Sequence, residues 1–263
     1  MSEIIKVGKF SDRYTYLLTS DGRYSLIESS RIRCSQELVG RPVRREAGTS
    51  RLDTQPGSGM SFQLTAPRLL GFVTVLAVCS VALWPRMPSG VIIMWSLILH
   101  ELGHIGIAFT QGSRDLTLGA RLQYGLLPIL YVSNRTIYER SRLQRILYYS
   151  GGVLANLVLV AACFTTLHLV PDAAETQQYL ALAVHTNAFL ALINLYPLMF
   201  TDGFNILREI LQVYDLRRLV MSHLIRPRDL LAVSRVAFVY YVFVLVSLVL
   251  LLARMVVAVA ALL

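Results

Sequence analysis

Long apolar runs alternate along this chain with short polar segments rich in arginine, and that alternation defines its elements. Five runs approach the ~20 residues a helix needs to cross a hydrocarbon core: Leu69–Trp84, Val91–Phe109, Ile146–Val170, Tyr179–Leu198 and Val236–Leu263. The first is short and stops at Pro85. The residues before it follow a different rhythm. "RYTYLLTSDGRYSLIESS" alternates apolar and polar positions on both sides of Asp21-Gly22, a pair that tolerates the positive φ of a tight turn, which predicts a β-hairpin. Residues 1–47 therefore read as a small, β-rich appendage. A lone hairpin is marginal in water, so it is expected to lean on the cytoplasmic membrane face or on a partner. Residues 48–68, with "EAGTSRLDTQPGSGMSF" across their start, are rich in Gly, Ser, Thr and Pro and read as a flexible linker. Residues 69–263 form the membrane domain. Between the second and third runs, "ARLQYGLLPILYV" is apolar but interrupted by Gly125 and Pro128; it is too short to span and suits strands or a re-entrant piece at the membrane interface. The expected fold is an all-α polytopic membrane protein with about five transmembrane helices, short β elements in an interface loop and an N-terminal hairpin.

Composition agrees. Of 263 residues, 55% are hydrophobic and 16% charged, and the mean hydropathy is +0.55, well to the apolar side of ordinary soluble domains. Met1–Lys9 has no apolar segment, so no cleavable signal peptide is expected. The net charge of +9 would suit nucleic acid, but its placement points elsewhere. Of the 25 Lys and Arg residues, 23 lie before the first run, between the second and third, or between the fourth and fifth. Five spans put those three regions on one side, and the positive-inside rule makes that side cytoplasmic, with the N-terminus inside and the C-terminus outside. The basic residues orient the chain against anionic headgroups, and no nucleic-acid partner is expected. Cys34, Cys79 and Cys163 have neither disulfide nor zinc-site spacing and read as apolar packing.

Against this background "HELGH", His100–His104, stands out at the cytoplasmic end of the second run. Ionisable groups inside a membrane cost about 2.5–3.5 kcal/mol each on insertion scales, and they are functional candidates by default. Residues four apart share a helix face, so His100 and His104 can point at one ion, while Glu101 reaches a water beside it as general base. A catalytic zinc takes three protein ligands and keeps one position open. His168, His185 and His223 lie at the wrong ends or in a loop. The fourth run also ends on the cytoplasmic side, in "NLYPLMFTDGFNIL", where Pro197 breaks the helix and Asp202 follows at the depth of the two histidines. Asp202 is a third ligand, the N-cap of the next helix, or both.

These motifs together resemble the site-2 protease family of intramembrane zinc metalloproteases. The resemblance rests on HELGH, on "GGVLAN" (Gly151–Asn156) and on Asn194, Pro197, Asp202 and Gly203 in the pattern N-x-x-P-x-x-x-x-D-G. It covers roughly Val91–Leu211. "TDGFNIL" and "YERSRLQRIL" look particularly like the branch of peptide zinc metalloproteases, some of which accompany peptide-maturation systems. The resemblance implies a three-helix metalloprotease core in which His100, His104 and Asp202 hold Zn2+ and Glu101 is the catalytic base. It implies that Asn156 and Asn194 lie near the site and position the substrate backbone or the zinc-bearing loop; interhelical hydrogen bonding is the alternative. Gly152 departs from the family, which often has proline there, and this bears on helix shape. No loop has room for a PDZ domain and no C-terminal CBS domain is expected.

The expected activity is hydrolysis of a peptide bond in a membrane-bound or membrane-associated substrate, in a bacterial cell membrane and near its cytoplasmic side. The substrate is a peptide precursor undergoing maturation or, alternatively, a membrane-anchored transcriptional regulator. The rivals are a non-catalytic membrane binding protein on the same scaffold and a metal transporter. The N-terminal region is the expected place for a regulatory or biosynthetic partner.

Overall fold

The computed structural model describes residues 4–10, 14–20, 24–28, 50–52, 59–63, 66–84, 87–114, 116–123, 127–169, 174–224 and 227–260. They form two compact units, Met1–Ile210 and Leu211–Leu263. The first begins with four strands, β1 (Ile4–Lys9), β2 (Tyr14–Thr19), β3 (Tyr24–Glu28) and β4 (Ser50–Leu52), in an antiparallel sheet of order β1-β2-β3-β4. The expected hairpin is the β2–β3 pair, in register from Tyr14↔Glu28 to Leu18↔Tyr24; its Asp21-Gly22 turn lies outside the described residues. A fifth strand, β5 (Gly59–Gln63), belongs to a second sheet with β6 (Leu116–Gln123) and β7 (Leu127–Asn134), again antiparallel and ordered β5-β6-β7. Thus the run broken by Gly125 and Pro128 supplies strands. The stretch expected to be a linker contributes β4 and β5, because the ladder from Gly59↔Arg121 to Gln63↔Thr117 satisfies backbone groups that composition alone assigned to solvent.

The helices of this unit are α1 (Ala66–Leu83), α2 (Pro88–Thr110), α3 (Arg142–Leu169), α4 (Ala174–Leu195) and α5 (Asp202–Leu211). α2 opens on Pro88, whose missing N–H costs nothing in the first turn. α4 stops at Leu195, two residues before Pro197. Among the described residues, four helices are long and apolar enough to cross a membrane: α2, α3, α4 and the helix at 235–254. The first expected span corresponds to α1, whose apolar stretch, Gly71–Leu83, is shorter. Outward side chains such as Val158 (67% exposed) and Leu192 (69% exposed) are apolar, the pattern of a bundle whose solvent is lipid.

α2, α3 and α4 pack on one another, and α2 and α3 nearly touch backbone to backbone. A Cβ at Gly103 would overlap the Gly151 carbonyl, and one at Gly151 would stand 2.7 Å from the Gly103 oxygen. Small residues permit this approach, which lets close packing hold the helices where no hydrophobic force between them exists. Beside the crossing, Ile105 and Ala108 of α2, Leu116 and Leu118 of β6, Ile137 of the short 3-10 helix Arg135–Glu139, and Tyr148 and Tyr149 of α3 form a buried cluster. The N-terminal sheet joins the helices here. Phe10, following β1, lies 3.7 Å from the Arg145 guanidinium, which is fully buried and paired at 2.9 Å with the buried Glu209 of α5. Arg142 donates to the carbonyls of Glu209 and Ile210. The base of α3 thus grips α5 by three contacts.

The second unit holds α6 (Leu216–Ser222), α7 (Pro227–Val233) and α8 (Arg235–Ala260). Its buried hydrophobic side chains are Tyr214, Leu216, Val220, Leu230, Ala237 and Tyr240.

Two substitutions test the helix crossing. Gly103→Ala is expected to lower stability by about 1–3 kcal/mol, the usual cost of overpacking. Gly106→Ala, three residues on where a Cβ meets nothing within 4 Å, is expected to be neutral or slightly stabilising. Unfolding of both variants in lipid nanodiscs decides; equal stability would contradict the crossing.

Candidate metal centre

The helical period of α2 stacks His100 and His104 one turn apart, with ring centroids at 5.1 Å and both residues 6% exposed. Asp202, the first residue of α5, arrives between them. Its Oδ2 lies 3.1 Å from His100 Nε2 and 3.3 Å from His104 Nε2. One ligand atom from each of the three residues lies within 4.8 Å of the others. That Asp202 oxygen is buried with no hydrogen-bond partner. An orphaned buried carboxylate oxygen is costly, and its position between two imidazole nitrogens is where a cation would remove that cost.

The opposite edges of the rings are fixed. His104 Nδ1 lies 2.8 Å from the Tyr148 carbonyl oxygen, which can only accept, so Nδ1 carries a proton and, in the neutral ring that binds a metal, the lone pair is on Nε2, towards Asp202. His100 Nδ1 lies 2.6 Å from Asn156 Oδ1 of α3. Gly152 backs the His100 ring so closely that any Cβ would overlap it, so this glycine bears on the site directly as well as on helix shape. Two neutral imidazoles and one carboxylate, each imidazole held by an outer partner, are a donor set that suits zinc with an open fourth position.

Asp202 reaches this place through a braced turn. After α4 ends, the Thr201 hydroxyl lies 2.6 Å from the Tyr196 carbonyl and 2.9 Å from that of Leu198, and the Thr201 N–H donates to Leu198. A Cβ at Gly203 would overlap the Leu195 carbonyl, so glycine lets α5 start against the end of α4. Glu101 sits beside the cluster, within electrostatic reach of His104, His100 and Asp202, and against the Val132 backbone of β7.

The structure thus brings together His100, Glu101, His104, Asp202 and Asn156. Asn194 is the penultimate residue of α4, and its amide donates to the Leu190 carbonyl of its own helix at 3.0 Å. His168 and His185 are exposed and bond carbonyls of their own helices. Sequence reasoning passed over Asn187, an amide inside the fourth run. It also counted Arg145 among the interfacial charges and left Glu209 unremarked; a carboxylate seven residues after Asp202 and an arginine in the first turn of a span were the available signals.

Against known proteins, 128 residues of this chain are 28% identical to a Bacillus subtilis (strain 168) protein whose name reads "Putative peptide zinc metalloprotease protein YydH". The aligned part is 49% of this chain and 49% of that protein, so the chain spans about half the length of the curated relative it matches. No family model and no solved structure matches. The likeness supports a zinc metalloprotease, and the group at His100, His104 and Asp202 is one that can hold the metal.

Zinc competition on the purified membrane protein reads the centre directly. Asp202→Ala and His104→Ala are expected to weaken zinc by more than the about 10–100-fold that outer partners carry, with Gly152→Ala falling in between and His168→Ala unchanged. An Asp202→Ala protein that binds zinc as tightly as the native chain would contradict the assignment.

Proposed function

We propose that this chain is an intramembrane zinc endopeptidase of the site-2 protease kind, cutting a membrane-bound or membrane-associated peptide. The observation that carries the reading is the convergence of His100, His104 and Asp202, with Glu101 beside them, at one end of an apolar bundle. His100, His104 and Asp202 hold the metal. Zinc, when bound, supplies a Lewis acid that polarises the scissile carbonyl and eases ionisation of water. Glu101 takes a proton from the attacking water and passes it to the departing amine, so that the C–N bond breaks and a carboxylate and an amine result. The Val132 backbone, against which Glu101 lies, limits the swing of the carboxylate.

A helical substrate hides its carbonyls in its own hydrogen bonds and must unwind before it is cut. Among the described residues the sheet order leaves β7 at an edge, and Val132 of that strand lies at Glu101 while the Tyr148 hydroxyl donates to its carbonyl. An unwound segment added along β7 is led towards the base, with main-chain bonds supplying affinity and few demands on sequence. The substrate class favoured is a small peptide precursor, in line with the peptide zinc metalloprotease named above. The metal end of the bundle faces the cytoplasm by the distribution of arginine.

Comparing peptide termini in membranes carrying the native protein or Glu101→Gln tests the reaction. The variant is expected to keep its zinc and lose cleavage by about 10²–10⁴-fold, the usual contribution of a positioned base. Termini that persist undiminished with Glu101→Gln would overturn the proposal. Photo-crosslinkers placed along β7 should capture the same substrate in the inactive variant; capture elsewhere only would sink the strand-addition step.

A further inference from the structure

His100 can offer Nε2 to a metal only if its other ring nitrogen carries the proton, and nothing in the imidazole itself decides which does. Three polar side chains buried between α2, α3 and α4 decide it. Asn187 of α4 is 3% exposed. Its Nδ2 lies 2.9 Å from the Ala183 carbonyl and 3.0 Å from Ser96 Oγ. The Ala183 oxygen can only accept, and Ser96 donates its own proton to the Ile92 carbonyl. Asn187 must therefore turn its NH2 to these two and its Oδ1 away from them. That Oδ1 accepts from Asn156 Nδ2 at 2.8 Å, and the same Nδ2 lies 3.5 Å from the Ser96 carbonyl. With its NH2 so placed, Asn156 has only Oδ1 to offer His100 Nδ1 at 2.6 Å. A carbonyl oxygen accepts and never donates, so a proton sits on Nδ1 and, in the neutral ring that binds a metal, the lone pair is on Nε2, towards Asp202.

We infer that Asn187 is a positioning residue, which, through Asn156, fixes the tautomer and the ring orientation of His100 so that Nε2 is presented to the metal. The inference rests on the zinc reading above and extends it to a side chain on a third helix with no contact to the ion. Glue between helices needs no direction. Here the direction is set at one end by a backbone carbonyl that cannot be reversed, and it ends on a ligand. Ser96 (2% exposed), Asn156 (0%) and Asn187 exclude water that would otherwise supply either kind of bond.

Zinc competition and histidine ring NMR on the full chain in nanodiscs test the relay, with His100 signals identified by their loss in His100→Gln. Asn187→Leu keeps the bulk and removes both bonding groups. It is expected to weaken zinc by about 10–100-fold, the range for outer partners of ligands, and to release the Nδ1 proton of His100 to either nitrogen. Asn187→Asp is the rescue: a protonated carboxyl has the amide's shape, its single O–H donating to the Ala183 carbonyl at the cost of the bond to Ser96 and its carbonyl still accepting from Asn156, so zinc binding within about threefold of native is expected. A role in packing alone would lower the stability of Asn187→Leu and leave the His100 tautomer and zinc affinity unchanged, and that result overturns the inference. If Asn187→Leu does not fold, the native protein decides: a proton on His100 Nδ1 upholds the relay and a proton on Nε2 overturns it. A native chain that takes up no zinc counts against the endopeptidase reading instead, and the metal-free tautomer, read where the imidazoles are neutral, still judges the relay.

Discussion

Two carboxylates and two imidazoles held out of water at one end of an apolar bundle pose a problem of charge. Asp202 and Glu101 repel one another, each is costly to desolvate, and the Asp202 oxygen facing the histidines has no hydrogen bond to offset that cost. A divalent cation between the two Nε2 atoms and Oδ2 answers all of this at once. Most of the remaining structure in Met1–Ile210 holds those three atoms together.

The bundle does this by bringing backbones unusually close. Gly103 against Gly151 sets α2 on α3, which puts the Tyr148 carbonyl and Asn156 behind the two imidazoles, and Gly152 leaves space for the His100 ring. α5, which carries Asp202, is not left to the turn before it. Arg142 and Arg145 hold its far end through Glu209 and Ile210, and Phe10 covers the Arg145 guanidinium. An arginine and a glutamate without access to solvent tolerate one another only while both are present, so the N-terminal sheet, which closes over Arg145, is tied to the same helix that carries Asp202.

Much of this centre was legible in the sequence because its determinants are periodic or topological. His100 and His104 share a face by the helical repeat alone, and Asp202 meets them because an even number of crossings returns the chain to the same side. What remained hidden depends on rotation of a helix about its axis. Hydropathy places Asn187 at a depth in α4 but does not say that it faces Asn156. The Tyr148 contribution is a backbone oxygen, which no residue type reveals. Arg145 fits the positive-inside pattern, and its pairing with Glu209 is visible only once α3 and α5 are side by side. The region expected to be a linker shows the limit of composition: its Gly, Ser and Pro mask the alternation of Met60 and Phe62, and β5 exists because β6 offers it an edge.

Zinc K-edge absorption on the metal-loaded protein in membranes tests the central claim most directly. The account predicts a first shell of nitrogen and oxygen only, with the outer-shell scattering of two imidazoles, falling to one in a protein lacking His104. A sulfur-containing shell, or two-imidazole scattering that survives removal of His104, would contradict it.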